Sequence, residues 1–126
     1  VVRGGTATFT DCKIVLDYVD SDAADVAANY NWMGATWGSG NSITIAALVL
    51  GNHAPSAYQY PTNVTLKNTT VACEGVNASL FPSVYSYANQ GEGLGVTFNY
   101  DAASNLESGK GPVYNSANIV VNGVEI

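Results

Sequence analysis

The sequence predicts an all-β domain whose strands stack as a solenoid, and three observations lead there. Residues 7–14 read Ala-Thr-Phe-Thr-Asp-Cys-Lys-Ile, and residues 64–71 read Val-Thr-Leu-Lys-Asn-Thr-Thr-Val. Both run apolar-Thr-apolar-polar, then Asp or Asn, then two small or polar residues, then a β-branched residue. That is a strand, a polar corner and a second strand, repeated as stacked units repeat. The expected strands begin near residues 7, 43, 64, 96 and 119. Their spacings fall within the roughly 20–45-residue lengths of solenoid repeats. Charged residues make up only 11% of the 126, against 47% apolar. The exterior must therefore be built from Ser, Thr, Asn, Gly and Tyr, a palette that suits extracellular β proteins better than cytosolic enzymes. The alternative is a β-sandwich, which also gives several short strands separated by turns. Either way the length suits a single domain, 1–126.

Each element follows from local pattern. From Thr6 to Val19, Phe9 faces inward and Thr8 and Thr10 outward, Asp11 marks a bend, and Ile14 resumes the inward face. Asp20 to Asn29 is the one helix-like stretch; acids crowd its first turn, where the helix dipole favours them, and Asn29 ends it. Tyr30 to Asn41 is an aromatic loop punctuated by glycine. Ile43 to Leu50 is a nearly continuous apolar run of strand length, expected to be buried on both faces. Gly51-Asn52 turns the chain, and His53 to Pro61 is a second loop. Val64 to Cys73 is the echo, with Leu66 and Val71 inward and Lys67 and Thr70 outward. Glu74 to Gly93 is a long loop, Gly95 to Asp101 a strand, and Asn118 to Ile126 a strand-like close after a turn-rich stretch.

The phrases Thr8-Phe9-Thr10-Asp11-Cys12-Lys13-Ile14 and Thr65-Leu66-Lys67-Asn68-Thr69-Thr70-Val71 resemble repeats of right-handed parallel β-helix proteins of the pectate-lyase-like superfamily. They are similar in particular to repeats of large bacterial surface proteins, as is Ile119-Val120-Val121-Asn122-Gly123-Val124. The resemblance covers the strands, about a third of the chain. It implies a short right-handed parallel β-helix with long loops and one short helical insertion. Catalytic members of that superfamily use an Arg base with Ca²⁺-binding Asp residues, or Asp residues grouped on adjacent coils. Here the sole Arg is Arg3, near the start, and Asp11 is the only acid at a matched coil position. That departure argues against lyase or glycosidase activity.

The chemistry-bearing residues are few. Asp17, Asp20, Asp22 and Asp25 offer oxygen ligands of the kind Ca²⁺ takes, but without the spacing of a standard Ca²⁺ loop. The plainer reading is solvated acids at a helix start. Tyr58/Tyr60 and Tyr85/Tyr87 are i, i+2 pairs that share one face of an extended segment. With Trp32 and Trp37 they make a candidate platform for sugar rings, set against simple packing of the loops onto the solenoid side. His53, the single histidine, has no triad signature around it. Cys12 and Cys73 are compatible with one disulfide or with two thiols. Asn63, Asn68 and Asn77 head N-glycosylation sequons, of which chance alone supplies about two in this composition; Asn68 also occupies a corner.

Ten acidic against four basic residues give a net charge of −6. The bases Arg3, Lys13, Lys67 and Lys110 are scattered, so neither nucleic acid nor an anionic membrane surface is an expected partner. The longest apolar run is far short of the ~20 residues of a membrane-spanning helix. With no capping helix visible at either end, the expectation is a piece of a longer chain or an assembly subunit, joined through uncapped ends to copies of itself or to neighbouring domains. The function expected is a non-catalytic extracellular or cell-surface structural or adhesive module, a glycoprotein or filament component. It would meet glycans or host surface proteins through its aromatic loops, without a cofactor other than possible Ca²⁺. The alternative is a polysaccharide-active enzyme, a lyase or glycoside hydrolase, using the Asp residues.

Overall fold

The computed structural model describes residues 1–29, 45–51, 60–86, 95–114 and 119–126. Its strands are β1 (Val2–Arg3), β2 (Gly5–Thr10), β3 (Lys13–Leu16), β4 (Leu48–Gly51), β5 (Thr62–Lys67), β6 (Thr70–Cys73), β7 (Val84–Ser86), β8 (Val96–Tyr100), β9 (Asn105–Glu107), β10 (Val113–Tyr114), β11 (Ile119–Val121) and β12 (Val124–Glu125). One short helix, α1 (Ala23–Asn29), follows β3, and a 3₁₀ turn at Ala78–Leu80 follows β6. The described chain is broadly all-β.

Three sheets take the strands in rotation. The first is β1-β4-β7-β10, the second β2-β5-β8-β11 with β12 at its edge, and the third β3-β6-β9. The chain visits first, second and third sheet in turn, and each return lays a parallel neighbour beside the previous strand. Among the described residues every strand pairing is parallel except β11 with β12. This speaks against the sandwich alternative, whose sheets are antiparallel.

The register is the one the sequence echo implies. Ala7, Thr8, Phe9 and Thr10 lie beside Val64, Thr65, Leu66 and Lys67, and Lys13 and Ile14 lie beside Thr70 and Val71. Like residues therefore stack in columns. Ala7–Val64–Phe98–Val121 and Ile14–Val71–Leu106 are two such columns. Leu48, Leu50, Val64, Leu66, Val71, Val84, Val96, Phe98, Ile119 and Val121 form the main core, with Ala7, Phe9, Ile14 and Leu106 packed half-buried against it. Full burial of such a side chain contributes about 1.5–3 kcal/mol. Thr62 is a polar member of the interior. Its hydroxyl donates to Gly51 O at 2.7 Å and accepts the Gly4 N–H at 2.9 Å, so the burial leaves nothing unpaired.

Several expectations need correction. The helix occupies only Ala23–Asn29, with Asp25 its one first-turn acid; Asp20 instead caps a turn, its carbonyl accepting the Ala23 N–H at 3.2 Å. The apolar run at 43–50 becomes strand only from Leu48, and residues 43 and 44 lie outside the described residues. The long loop after Glu74 contains β7, and the turn-rich stretch contains β9 and β10. The Cys12–Cys73 disulfide does not form: both are free thiols, one exposed and one buried. The parallel register explains it. Cys73 pairs with Leu16, four residues beyond Cys12, which is about 13 Å along a strand, and a disulfide reaches at most about 7 Å between Cα atoms.

The columns predict unequal costs for one substitution. Leu66→Ala, at a fully buried position, should destabilise by about 2–5 kcal/mol, and Leu106→Ala, half-buried on the edge strand β9, by well under that. Urea unfolding of the two variants measures the difference; equal losses would contradict the column packing.

Candidate functional site

Several described polar side chains gather at the corner between the second and third sheets. Three passes turn there, after β2, β5 and β8. Asp11 and Asn68 sit in the left-handed region, at φ 55° and 46°. Asx residues are the side chains that tolerate it, which is why the corner spells Asp or Asn. A third, Asn122 at φ 49°, precedes Gly123 at φ 81°. Together they make the tight turn that folds β12 back on β11.

Hydrogen bonds run from pass to pass along this corner. The Cys12 N–H donates to Thr69 Oγ1 at 3.2 Å, and the Thr69 N–H donates to Ser104 Oγ at 3.0 Å. The Ser104 hydroxyl donates to Asp101 Oδ1 at 2.8 Å, and the Asn68 N–H donates to both Asp101 oxygens at 3.1 and 3.2 Å. Asn68 Nδ2 donates to Asp11 Oδ1 at 2.9 Å. Thr69 faces the Phe9 and Lys67 carbonyls as well, at 3.1 and 3.0 Å. Asn122 Oδ1 accepts the Tyr100 N–H at 2.8 Å. The Ser104 hydroxyl first, and then the Asn68 N–H, hold the Asp101 carboxyl below its ordinary range. A glycosidase acid needs the opposite displacement.

The four acids proposed for Ca²⁺ do not form such a cluster. Asp17 lies over Gly75, whose φ of 84° is the left-handed backbone that favours glycine. Asp22 accepts from Tyr18 OH at 3.5 Å, the outer limit of a hydrogen bond. Asp25 lies on α1, and Asp20 acts through its backbone carbonyl. Among the described residues no three acidic, His or Cys side chains gather as a metal site would require.

The aromatic platform divides. Tyr60 is 60% exposed, but Tyr85 is 6% exposed and packs with Val49 and Ala46. Its ring is taken up by packing and is withdrawn from any exposed platform. Trp32, Trp37, Tyr58 and Tyr87, with His53, lie outside the described residues. Arg3 is in β1, beside Gly51.

The sequon asparagines are in three different settings. Asn63 is half-buried in the middle of the second sheet, between Thr6 and Thr97. Asn68 belongs to the corner. Asn77 Nδ2 donates to Tyr18 O at 2.8 Å and tethers the segment leading into α1. Nearby, Tyr18 packs at a tilt on Phe81 with ring centroids 5.2 Å apart, in a second apolar cluster that includes Cys73 and Ala23. Burial pushes the Cys73 thiol up, which suits an inert core sulfur better than a nucleophile. On the outer surface Lys13 meets Glu74 at 2.7 Å; both are solvated, so the pair adds little.

Thr69, Ser104 and Asn122 were not among the expected site residues. The echo places Thr69 opposite Cys12 and so carries a trace of the ladder; Ser104 ends a longer corner, 101–104, and has no such signal. The depressed Asp101 pKa has a defined consequence. Its contribution to stability is complete above the ordinary value of 3.8 and is lost as pH falls through the lower folded value. Asp101→Asn should therefore be less stable at pH 7 and show a shallower acid decline below pH 3.8, as followed by urea midpoints against pH; an unchanged acid limb would contradict the Asp101 contacts. No family model, curated protein or solved structure matches this chain, so the reading rests on its own geometry.

Proposed function

We propose that the chain is a short right-handed parallel β-helix serving as a non-catalytic structural or adhesive module at a cell surface or outside the cell. The observation that carries this is the corner ladder: the polar groups gathered there spend their hydrogen bonds on one another, from pass to pass. The rotation of strands among three parallel sheets supports the helical stack, and parallel crossover connections are right-handed in about 98% of cases.

The passes differ where they cross from the first sheet to the second. Gly4 alone joins β1 to β2, whereas residues 52–61 join β4 to β5 and 87–95 join β7 to β8. Tyr58, Tyr60 and Tyr87 fall in these two long connections, and Trp32 and Trp37 in the connection from α1 to β4. A scaffold of constant corners carrying variable aromatic connections is suited to holding a glycan or a protein partner. The ends of the stack offer a second kind of contact, with copies of the chain or neighbouring domains.

Binding of the 126-residue chain to a glycan array, beside Trp32→Ala, Trp37→Ala, Tyr58→Ala and Tyr60→Ala variants, tests the reading. Retained fold with binding reduced about tenfold or more in at least one variant is expected. Equal binding by all would remove the aromatic platform. Cleavage of a polysaccharide panel by the wild type, abolished by Asp20→Asn or Asp22→Asn, would replace the module with an enzyme.

A further inference from the structure

The two ends of the stack differ in chemistry. At one end β12 turns back at Asn122-Gly123 and lies antiparallel on β11. It is only two residues long and carries Glu125. At the other end stands β2, six residues long, with β5 as its strand neighbour and none on its second edge among the described residues.

The direction of the β2 peptide groups can be read from its ends. In a parallel ladder the N–H and C=O of one residue face the same neighbour, and those of the next residue face the other side. The Gly5 N–H donates to Pro61 O at 2.8 Å, and the Asp11 N–H to Lys67 O at 2.9 Å. Odd-numbered residues therefore face β5, and Thr6, Thr8 and Thr10 face the open edge. Natural edges are blunted by Lys, Pro, charge or a bulge. Gly-Thr-Ala-Thr-Phe-Thr has none of them, and its pairing with β5 runs without a bulge. The inward side chains are also incompletely covered. Ala7 and Phe9 are half-buried, where their neighbours Val64 and Leu66 are 1% and 0% exposed.

We propose that two copies of this chain join head to head through β2, antiparallel about a two-fold axis at Thr8. The proposal rests on the reading of the chain as a stacked module and names the partner at its open end. About that axis Thr8 meets the partner's Thr8, and Thr6 meets the partner's Thr10. Each Thr pair exchanges N–H···O bonds in both directions, since these are the residues whose peptide groups face outward from the edge. Ala7 falls opposite the partner's Phe9 on the core side, so a small residue faces a large one and both gain cover. On the outer face the pairs are Thr on Thr, a favourable cross-strand combination without charge. The same patch meets itself, as an isologous dimer requires. Stacking β2 on β12 instead would set six residues against two and bring the Glu125 carboxylate to the seam.

Sedimentation velocity of the wild-type chain should show a dimer at about 100 μM. Thr8 is exposed, so Thr8→Lys leaves the core alone and sets two like charges across the axis. It should weaken dimerisation about tenfold or more, and mixing Thr8→Lys with Thr8→Glu should restore it as a heterodimer. Thr8→Pro, which removes an N–H the fold does not use, should also give monomer. A folded wild-type monomer, or a dimer indifferent to these changes, overturns the pairing and leaves the stacked-module reading intact. A far-ultraviolet spectrum without β structure would remove that reading instead.

Discussion

A chain that stacks parallel strands must turn sharply on every pass without stranding the peptide groups at the bend. In this protein the turn between the second and third sheets meets that constraint. Asp11 and Asn68 adopt the left-handed backbone that carries the chain from the second sheet to the third in two residues. The N–H groups exposed by the bend are taken up by the side chains of the next pass, Thr69 for Cys12, and Ser104 and Asp101 for Thr69 and Asn68. Fixing that corner fixes both flanking sheets. A one-residue slip would turn Thr8 and Thr65 inward and expel Phe9 and Leu66, so the polar corner and the apolar columns enforce the same register.

The division of labour follows. The second-to-third corner opens on an Asx residue at each pass, Asp11, Asn68 and Asp101, although the third, 101–104, is longer than the other two. The first-to-second crossing varies from one residue to ten, from Gly4 to 52–61, and carries tyrosines. Among the described residues the two outer strands of the second sheet also differ: β12 turns back on β11, and β2 is six residues long without a charged side chain.

Sequence made the two echoed units legible because each carries its signal within eight residues: alternation, an Asx corner and a β-branched restart. Their register and inward faces emerged as the echo implies. The strands β7, β9 and β10 are two or three residues long, too short for alternation to register against the surrounding turns. For Tyr85 the i, i+2 spacing left a shared exposed face and simple packing both open, and its burial against Val49 and Ala46 is the packing outcome. The ladder was hardly legible, because Thr69 and Ser104 act by position across passes and Cys12 occupies the matching place with a sulfur. The disulfide failed for a related reason: two cysteines in a chain say nothing of distance, whereas the register sets it.

Native-state hydrogen exchange at the corner is the direct measurement of whether the ladder holds the stack. The amides of Cys12, Asn68 and Thr69 lie outside the strands, yet each donates to a side chain on the next pass. They should exchange as slowly as the flanking strand amides of Leu66 and Val71, opening only with the stack as a whole. Exchange at the rate of an ordinary solvated turn, while the strands stay protected, would mean that the register is held by the apolar columns alone.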